Sequence, residues 1–250
     1  MINVLLSGCN GKMGKVITSV LEKDGTATIV CGYDINTQSC AYPVYDDLSA
    51  VTEKADVVID FSNPAAADKV MDFCSERRIP LVEATTGLDE VQRTKLETIS
   101  KKMPVFYSAN MSVGVNLLIS LVKKAAAILE GNFDIEIIEK HHNQKIDAPS
   151  GTALMIADEI ASALKGGCQY VYDRHNDRKK RESTEIGIHS VRGGTIVGEH
   201  SVIFAGNDEV IEINHSAAGK EVFAVGAIKA ARFLVGKQPG LYNMEDLVNS

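Results

Sequence analysis

The chain has 250 residues, 45% of them apolar and 24% charged, which is the composition of an ordinary globular protein and excludes intrinsic disorder. Its formal charge of −7 argues against nucleic acid as a partner, because phosphate-binding domains carry a basic excess. The five cysteines lack C-x-x-C spacing and no apolar run approaches the ~18 residues of a membrane span, so we expect reduced thiols and a cytoplasmic protein.

The first 34 residues have the pattern of a dinucleotide-binding unit. Residues 2–7 are almost wholly apolar, as in a strand buried on both faces, and a G-x-x-G-x-x-G turn that ends at Gly14 leads into helical spacing. A second predicted strand, residues 27–33, ends at Asp34, where such a unit places the acid that binds an adenosine ribose. The alternative is that the glycines serve only a tight strand-to-helix connection.

The residues after Asp34 bear on the choice of cofactor. Ile35 and Asn36 follow it, and neither is the arginine that would meet the 2′-phosphate of NADP. This favours NAD over NADP. Lys12 in the glycine turn leaves NADPH possible, because its ammonium group can reach a phosphate.

Strands and helices continue to alternate as far as residue 108. The repeated order predicts a parallel, doubly wound sheet that binds ligands at the carboxyl ends of its strands. Small polar residues occupy two of these ends, at 85–87 and 108–111. The predicted strands cover residues 55–61, 80–84 and 105–108, and the predicted helices cover 65–77 and 89–101.

The pattern changes after a long apolar helix, residues 114–129, which we expect to be buried between layers. Three alternating stretches, separated by glycine-containing turns at 193–194 and 206–208, are hairpin signals and predict a mixed or antiparallel sheet. A sheet of this kind with one face uncovered would pack against its copy in an oligomer. A helix over 220–234 follows, and residues 242–248 are expected to return to the first domain.

The predicted fold class is therefore α/β. An N-terminal Rossmann-like domain with a parallel sheet is expected over residues 1–111, completed by residues 218–250. A smaller α+β domain, for substrate binding and oligomerisation, is expected over residues 112–217.

Residues 139–153, E-K-H-H-N-Q-K-I-D-A-P-S-G-T-A, hold the densest collection of groups that transfer protons or bind anions. A strand of period two precedes them, and if it runs on to His142 then His141 and His142 point to opposite faces. Lys145 supplies a positive charge or a proton. The alternative is a surface strand end followed by an ordinary turn.

An amphipathic helix follows this loop and begins near Ser150 or Gly151. The first N–H groups of a helix lack internal partners and carry the positive end of its dipole, so they suit a carboxylate. Gly151 allows close approach to the backbone, and the hydroxyl group of Thr152 adds a donor. The loop and helix start thus predict a site for an acidic substrate.

Taken together, these motifs resemble those of the 4-hydroxy-tetrahydrodipicolinate reductase (dihydrodipicolinate reductase) family. The loop is joined, in the same order, by the glycine turn, by A-T-T-G at 84–87, by S-A-N-M-S-V-G-V-N at 108–116 and by R-G-G-T-I-V-G-E-H at 192–200. The resemblance covers nearly the whole chain. It implies reduction of the cyclic imine-type dicarboxylate 4-hydroxy-tetrahydrodipicolinate to tetrahydrodipicolinate with NAD(P)H, in lysine and diaminopimelate biosynthesis.

The resemblance also implies a homotetramer and roles for individual residues. His141 would be the catalytic proton donor or acceptor and Lys145 a proton donor, while His142, Gly151 and Thr152 would bind the substrate. One departure concerns Ile35, because some members carry an arginine after the acid and use both cofactors; NADH is therefore expected to be preferred. The implied cofactor-binding residues are Gly8, Cys9, Asn10, Gly11, Lys12, Met13, Asp34, Ala84, Thr85, Thr86, Ser108, Ala109, Asn110 and Met111.

Other functions remain open at this level. Zinc bound by His141, His142 and His200 would lack the usual ligand spacing, and Ser150 as a nucleophile would lack a nucleophile elbow. A regulatory NADH sensor would leave the His-His-Lys loop without a purpose, and an amino-acid dehydrogenase would not be expected to carry the whole loop. His175, His189 and His215 are expected to be surface or sheet residues, and the basic run Arg174, Arg178, Lys179, Lys180 and Arg181 is expected to be a solvated loop.

Overall fold

The computed structural model describes residues 1–38 and 40–250 and divides into two compact units. The first unit comprises Met1–Val113 and Lys220–Ser250, and the second comprises Gly114–Gly219. Each unit has its own sheet. No helix among the described residues is both long and apolar enough to cross a membrane.

Strands and helices alternate through most of the chain, and a 3-10 turn occupies Leu48–Ala50. In chain order the elements are β1 (Ile2–Ser7), α1 (Lys12–Asp24), β2 (Ala27–Tyr33), β3 (Val44–Tyr45), β4 (Val57–Asp60), α2 (Pro64–Arg77), β5 (Leu81–Glu83), α3 (Glu90–Ser100), β6 (Pro104–Tyr107), α4 (Val113–Leu129), β7 (Asp134–His141), α5 (Gly151–Ala163), β8 (Gln169–Val171), β9 (Glu185–Arg192), β10 (Gly198–Ala205), β11 (Val210–Ala217), α6 (Glu221–Leu234), β12 (Gly240–Tyr242) and α7 (Met244–Val248).

The sheet of the first unit has seven strands in the order β12-β6-β5-β4-β1-β2-β3, and the pairings are parallel. Its central strands are apolar on both faces because both faces are covered: α1 and α6 contribute to one apolar cluster, and α2 and α3 to the other. This confirms the predicted Rossmann-like parallel sheet. The last strand, β12, joins the sheet beside β6.

The second unit contains a five-stranded mixed sheet in the order β11-β10-β7-β9-β8. Strand β7 lies parallel to β9 and antiparallel to β10, and apolar residues of α4 and α5 share a core with one face of the sheet. The mixed sheet was predicted, and β10 and β11 form the expected hairpin at residues 206–209.

The predicted hairpin at Gly193 and Gly194 is wrong, because β7 lies between β9 and β10. The connection instead crosses the carboxyl end of β7. There the N–H of Gly193 donates to the carbonyl of His141 (2.9 Å), and the N–H of Asn143 donates to the carbonyl of Gly194 (3.2 Å). The crossing therefore fixes the backbone on both sides of His142.

One further expectation was wrong, and another held only in part. Helix α4 buries one stripe of side chains against its unit, but Leu117, Leu121 and Ile128 on its other side are 46%, 46% and 70% exposed in the single chain. The basic run is not uniformly solvated, since Arg174 and Arg181 both bind the carboxylate of Glu136, each with an N–O distance of 3.0 Å. The sequence pattern could not show these pairs, which join residues more than 35 positions apart.

Candidate active site

The predicted cofactor-binding residues lie at the carboxyl ends of strands in the first unit. Residues 8–13 follow β1, Asp34 follows β2, residues 84–86 follow β5 and residues 108–111 follow β6. Because β2, β1, β4, β5 and β6 are consecutive neighbours in a parallel sheet, all four segments lie along one edge. The structure thus brings the predicted segments together.

The glycine turn has the shape of a phosphate cradle. Gly8 has a φ of +74°, and a Cβ atom there would lie 2.7 Å from the carbonyl oxygen of Phe61. A Cβ atom at Gly14 would clash with the carbonyl oxygen of Gly8. Helix α1 begins after Gly11, which forms no side-chain cap. The uncapped N–H groups at this helix start suit the pyrophosphate of a dinucleotide, so the residues present fit the predicted cofactor.

Asp34 lies beside the glycine turn and is held by backbone donors. Its carboxylate accepts the N–H of Asn10 (2.9 Å) and the N–H of Asn36 (3.0 Å). The next residue, Ile35, is 87% exposed. A ribose hydroxyl can bind this carboxylate, but a 2′-phosphate would meet its negative charge without a neighbouring arginine in the sequence.

Cys9 and Met111 are, together with Ala84, predicted cofactor residues whose side chains are buried in the core. Cys9 is 1% exposed, and burial followed by the nearby Asp34 carboxylate raises the pKa of its thiol to about 12. Met111 is 3% exposed and belongs to the core shared by α1 and α6. These two residues can therefore contact a cofactor only through their main chains.

In the second unit, β7 ends at His141, so the strand does not continue through His142, which lies in the following turn. Alternation along β7 places Glu139 and His141 on the face that carries the buried Ile135 and Ile137. On the neighbouring strands, Arg192 is paired with His141, and His200 is paired with Glu139. Four polar side chains thus share the core face at the end of this sheet.

Glu139 is the centre of this group, and its side chain is completely buried. One carboxylate oxygen lies 2.6 Å from Nδ1 of His141, and the guanidinium of Arg192 binds both oxygens at 2.7 Å. The N–H of Ser150 donates to it as well (3.0 Å). Burial by itself raises the pKa of Glu139, but the hydrogen bonds from Arg192 and His141 outweigh it and lower the pKa to about 2.

The Glu139 carboxylate fixes the orientation of the His141 ring. A carboxylate only accepts, so Nδ1 of His141 carries a proton and Nε2 is left to exchange one with a ligand. Nε2 lies next to Gly198, where an added Cβ would be 3.1 Å away. The His141 side chain is 11% exposed, which makes it an oriented and largely water-excluded imidazole.

His200 packs against His141 edge to face, with ring centroids 5.3 Å apart. Burial, and then the neighbouring His141, lowers the pKa of His200 to about 4, so it is neutral near pH 7. Its Nε2 lies 3.3 Å from the hydroxyl of Ser150, and that hydroxyl also accepts the N–H of Ala153 and caps α5. Ser150 is therefore engaged as a helix cap.

Lys145 and the start of α5 already bind a carboxylate from the loop itself. Lys145 Nζ lies 2.9 Å from Oδ1 of Asp147. The hydrogen bond with Lys145, and further bonds that include the backbone N–H of Gly151, lower the pKa of Asp147. Of the predicted anion-binding groups, Lys145 and the N–H of Gly151 thus act on one carboxylate, that of Asp147.

The sequence had suggested no role for Glu139 or Arg192, and it placed His200 only in a zinc site. The described residues contain no group of three His, Cys, Asp or Glu side chains that could hold a metal ion. One signal could have identified Glu139: it lies two residues before His141 and therefore on the same face of the strand.

Two family models match this chain. The model described as "Dihydrodipicolinate reductase, N-terminus" matches residues 2–111, and the model described as "Dihydrodipicolinate reductase, C-terminus" matches residues 114–248. The chain belongs to the dihydrodipicolinate reductase family. The predicted enzyme class is therefore confirmed: the protein is an NAD(P)H-binding oxidoreductase of the family that serves lysine and diaminopimelate biosynthesis.

Known members of the family are similar over their full length. The 4-hydroxy-tetrahydrodipicolinate reductase of Caldanaerobacter subterraneus subsp. tengcongensis is 57% identical over 248 residues, which cover 99% of this chain and 98% of that protein. The protein of the same name from Clostridium novyi is 48% identical over 100% and 99% of the two chains. The solved structure of a dipicolinate-bound dihydrodipicolinate reductase from Paenisporosarcina sp. TG-14 has a TM-score of 0.84 at 26% identity, over 98% of this chain and 99% of that one.

Proposed function

We propose that this chain reduces 4-hydroxy-tetrahydrodipicolinate to tetrahydrodipicolinate, with NADH as the preferred cofactor and His141 and Lys145 as its catalytic residues. The observation that carries the proposal is the bond between the buried Glu139 and His141, next to the loop that already holds the Asp147 carboxylate. The reduced nicotinamide supplies the hydride when it is bound. The chain's own residues supply the proton, the anchor for the substrate and the exclusion of water.

Reduction of the cyclic imine requires a proton donor near the ring nitrogen of the substrate. Hydride addition to a carbon conjugated with the imine builds negative charge towards the ring nitrogen, and a positioned acid lowers that barrier. Nε2 of His141 is available for this transfer because Glu139 occupies Nδ1.

The substrate is a dicarboxylate, and the loop offers a site for one of its carboxylates. Lys145 and the backbone N–H of Gly151 hold the Asp147 carboxylate in the free protein. A substrate carboxylate can replace Asp147 there, since that side chain is 57% exposed and free to turn into solvent. Thr152 and His142 would complete the carboxylate site, which would hold the ring in one orientation.

The cofactor would bind along the carboxyl edge of the first sheet. Residues 8–13 and the start of α1 would hold the pyrophosphate, and Asp34 would bind the adenosine ribose. The segments 84–86 and 108–111 would contact the remainder of the dinucleotide. NADH is favoured over NADPH because Asp34 is followed by the exposed, uncharged Ile35.

We also propose a cytoplasmic homotetramer. The face of the second sheet that points away from the α4 and α5 core carries Ile138 and Ile203 among polar side chains, and both are only half-buried in the single chain. Packing of this sheet face against a second copy of the chain would bury these apolar side chains completely. Mass measurement by light scattering at micromolar concentration tests this state.

The reaction itself is tested by following NADH absorbance after addition of enzymatically generated substrate. Oxidation of NADH that depends on both the chain and the substrate supports the reductase. Saturable binding of NADH without oxidation would contradict the proposal and favour a sensor. A parallel assay with an amino acid and NAD⁺ distinguishes the amino-acid dehydrogenases.

Replacing Ile35 by arginine is expected to raise the ratio of kcat/KM for NADPH to that for NADH by about tenfold or more, because a charge-assisted hydrogen bond to the 2′-phosphate is worth ~1.5–3 kcal/mol. Initial rates with both cofactors measure this ratio. Ile35→Leu is the matched uncharged control and should keep the parent ratio. An arginine variant with the parent ratio would show that the 2′-phosphate does not lie at this position.

Replacing Lys145 by alanine is expected to lower kcat/KM for the imine by about 10²-fold, the lower end of the range for a proton donor, because Lys145 is partly exposed and also binds Asp147. The Kd for NADH should stay at its parent value. Lys101→Ala removes an exposed charge from the first unit and is the matched control. Parent-like kcat/KM in Lys145→Ala would remove Lys145 from the proposed site.

A further inference from the structure

The carboxyl edge of the first sheet contains a row of buried polar side chains beneath the predicted cofactor turns. Ser7, Asp60 and Glu83 are the last residues of β1, β4 and β5, and the strand register pairs Ser7 with Asp60 and Asp60 with Glu83. All three have 0% exposure. Since paired residues of neighbouring strands point to the same face, their side chains lie side by side.

Each of the two acids holds the turn that follows its own strand. One oxygen of Asp60 accepts the N–H of Ser62 at 2.9 Å, and one oxygen of Glu83 accepts the N–H of Thr85 at 2.9 Å. The first turn touches the glycine turn, as a Cβ at Gly8 would lie 3.0 Å from Cα of Ser62. The second turn contains residues 84–86, which the proposed function assigns to the cofactor.

The other two oxygens of the pair, Asp60 Oδ2 and Glu83 Oε2, are buried and have no donor among the described residues. Two buried carboxylates placed side by side repel each other, which disfavours ionisation of both, whereas one proton between them satisfies both oxygens. Burial, and then the Asp60 carboxyl, raises the pKa of Glu83 well above its ordinary value. Burial also raises the pKa of Asp60, against the hydrogen bond from the N–H of Ser62.

No cation takes the place of this proton within the described chain. Besides burial and their effect on each other, the groups that act on the pair are donors of the turns, with the N–H groups of Ser62 and Thr85 at 2.9 Å. The titratable neighbours are uncharged near pH 7: Cys74 on α2, whose pKa is raised by burial and then by both acids, and the phenols Tyr33 on β2 and Tyr107 on β6. None of these neighbours supplies a positive charge that would favour ionisation of both carboxyl groups.

We propose that Asp60 and Glu83 are positioning residues for the dinucleotide, a buried pair of carboxyl groups that shares one proton and fixes the two turns next to the glycine turn. The inference rests on the proposed function only for the identity of the ligand, a reduced nicotinamide dinucleotide. In this pair Glu83 is the neutral, protonated acid that holds the turn at Thr85, and Asp60 carries the negative charge.

Two substitutions at Glu83 separate its shape from its charge. Glu83→Gln is permanently neutral, can accept the N–H of Thr85 and can donate to Asp60, so its Kd for NADH should remain within about twofold of the parent value. Glu83→Leu loses both bonds and should weaken NADH binding about tenfold, because a buried N–H is left without its acceptor. Glu97→Leu, an exposed acid on α3, is the control with parent affinity.

The Kd values come from NADH fluorescence titrations without the imine substrate. Parent-like affinity in Glu83→Leu would overturn the positioning role, and equally weak binding in Glu83→Gln and Glu83→Leu would overturn the assigned charge state. Should Glu83→Leu fail to fold by circular dichroism, Glu83→Gln and the spectroscopic test that follows still decide the matter.

Infrared spectroscopy tests the shared proton directly. The parent should show, near pH 7, the carbonyl stretch of a protonated carboxylic acid that resists hydrogen exchange, and Glu83→Gln should lack it. Absence of this band from the parent would overturn the proposal. Neither measurement requires turnover, so a chain that binds NADH but does not reduce the imine would contradict the proposed function and leave the acid pair standing.

Discussion

Replacing His141 by glutamine is expected to lower kcat for imine reduction by about 10³-fold, within the ~10²–10⁴ range for a lost general acid. Glutamine cannot exchange a proton near pH 7, whereas its amide can still donate to Glu139 and leave the Glu139–Arg192 pair intact. The substitution therefore removes the proton and keeps the architecture. Steady-state rates with NADH at saturating imine measure the effect.

The Kd for NADH should be the same in this variant as in the parent, because the proposed cofactor residues belong to the first unit and His141 to the second. His175→Gln is the matched control: it changes an exposed histidine of the second unit and should retain the parent kcat. If His141→Gln turned over at a rate close to that of the parent, the proton would have to come from another group.

The inner strands of the first sheet could be predicted because the sequence patterns that identify them lie within short segments of the chain. The five inner strands β1, β2, β4, β5 and β6 are short apolar runs, and their parallel order follows from the alternation with helices. The edge strands β3 and β12 have only two and three residues and were not predicted. Asp34 was predicted to bind the adenosine ribose from its separation from the glycine turn along the sequence. In the structure its carboxylate accepts the N–H of Asn10, within that turn. Local patterns of this kind identify an edge of a sheet where a ligand can bind.

The second unit shows where local patterns fail. Gly193 and Gly194 have the sequence of a hairpin turn, but strand order in a mixed sheet is decided by pairing between residues far apart. Strand β7 separates β9 from β10, so the glycines cross over the end of β7 instead. This crossing brings Arg192 to the carboxylate of Glu139, a contact across 53 positions that no spacing rule reveals.

The two glutamates of β7 illustrate the same limit. Glu136 and Glu139 lie on opposite faces of one strand, and both bind arginines. Glu136 serves a network with Arg174 and Arg181 on the sheet face away from the α4 and α5 core, whereas Glu139 is buried beside His141. Glu136 also lies 2.7 Å from Nε2 of His189, so burial is what distinguishes the two pairs: the Glu139 side chain is completely buried and His141 is 11% exposed, whereas Glu136 and His189 are 21% and 40% exposed.

Replacing Glu139 by glutamine is expected to lower both stability and turnover. The ordinary pKa of the side chain is 4.5 and the folded protein holds it at about 2, which corresponds to about 3 kcal/mol of stability near pH 7. Because Arg192 is 20% exposed and partly screened by water, we expect a measured loss of about 2–3 kcal/mol. Denaturant unfolding at pH 7 measures it.

The stabilisation by the Glu139 carboxylate depends on pH in one direction. A carboxyl group whose pKa is lowered on folding stabilises the protein above its unfolded pKa, and this contribution is lost as the pH falls from about 5 towards 2. The stability difference between the parent and Glu139→Gln should therefore shrink steadily below pH 5. Glu199→Gln breaks a half-exposed pair with Lys140 and, as the matched control, should cost less than about 1 kcal/mol at pH 7.

Turnover should fall by about 10²-fold in Glu139→Gln, because an amide can present its N–H₂ group to Nδ1 of His141 and favour the wrong tautomer of the ring. Denaturant curves first establish the fraction folded, so that kcat is compared between folded proteins only. A variant that lost the stability but kept the parent kcat would show that Glu139 holds the strand ends together without orienting His141. If Glu139→Gln had the same free energy of unfolding as the parent at pH 7, the ion pair between Arg192 and Glu139 would not stabilise the fold.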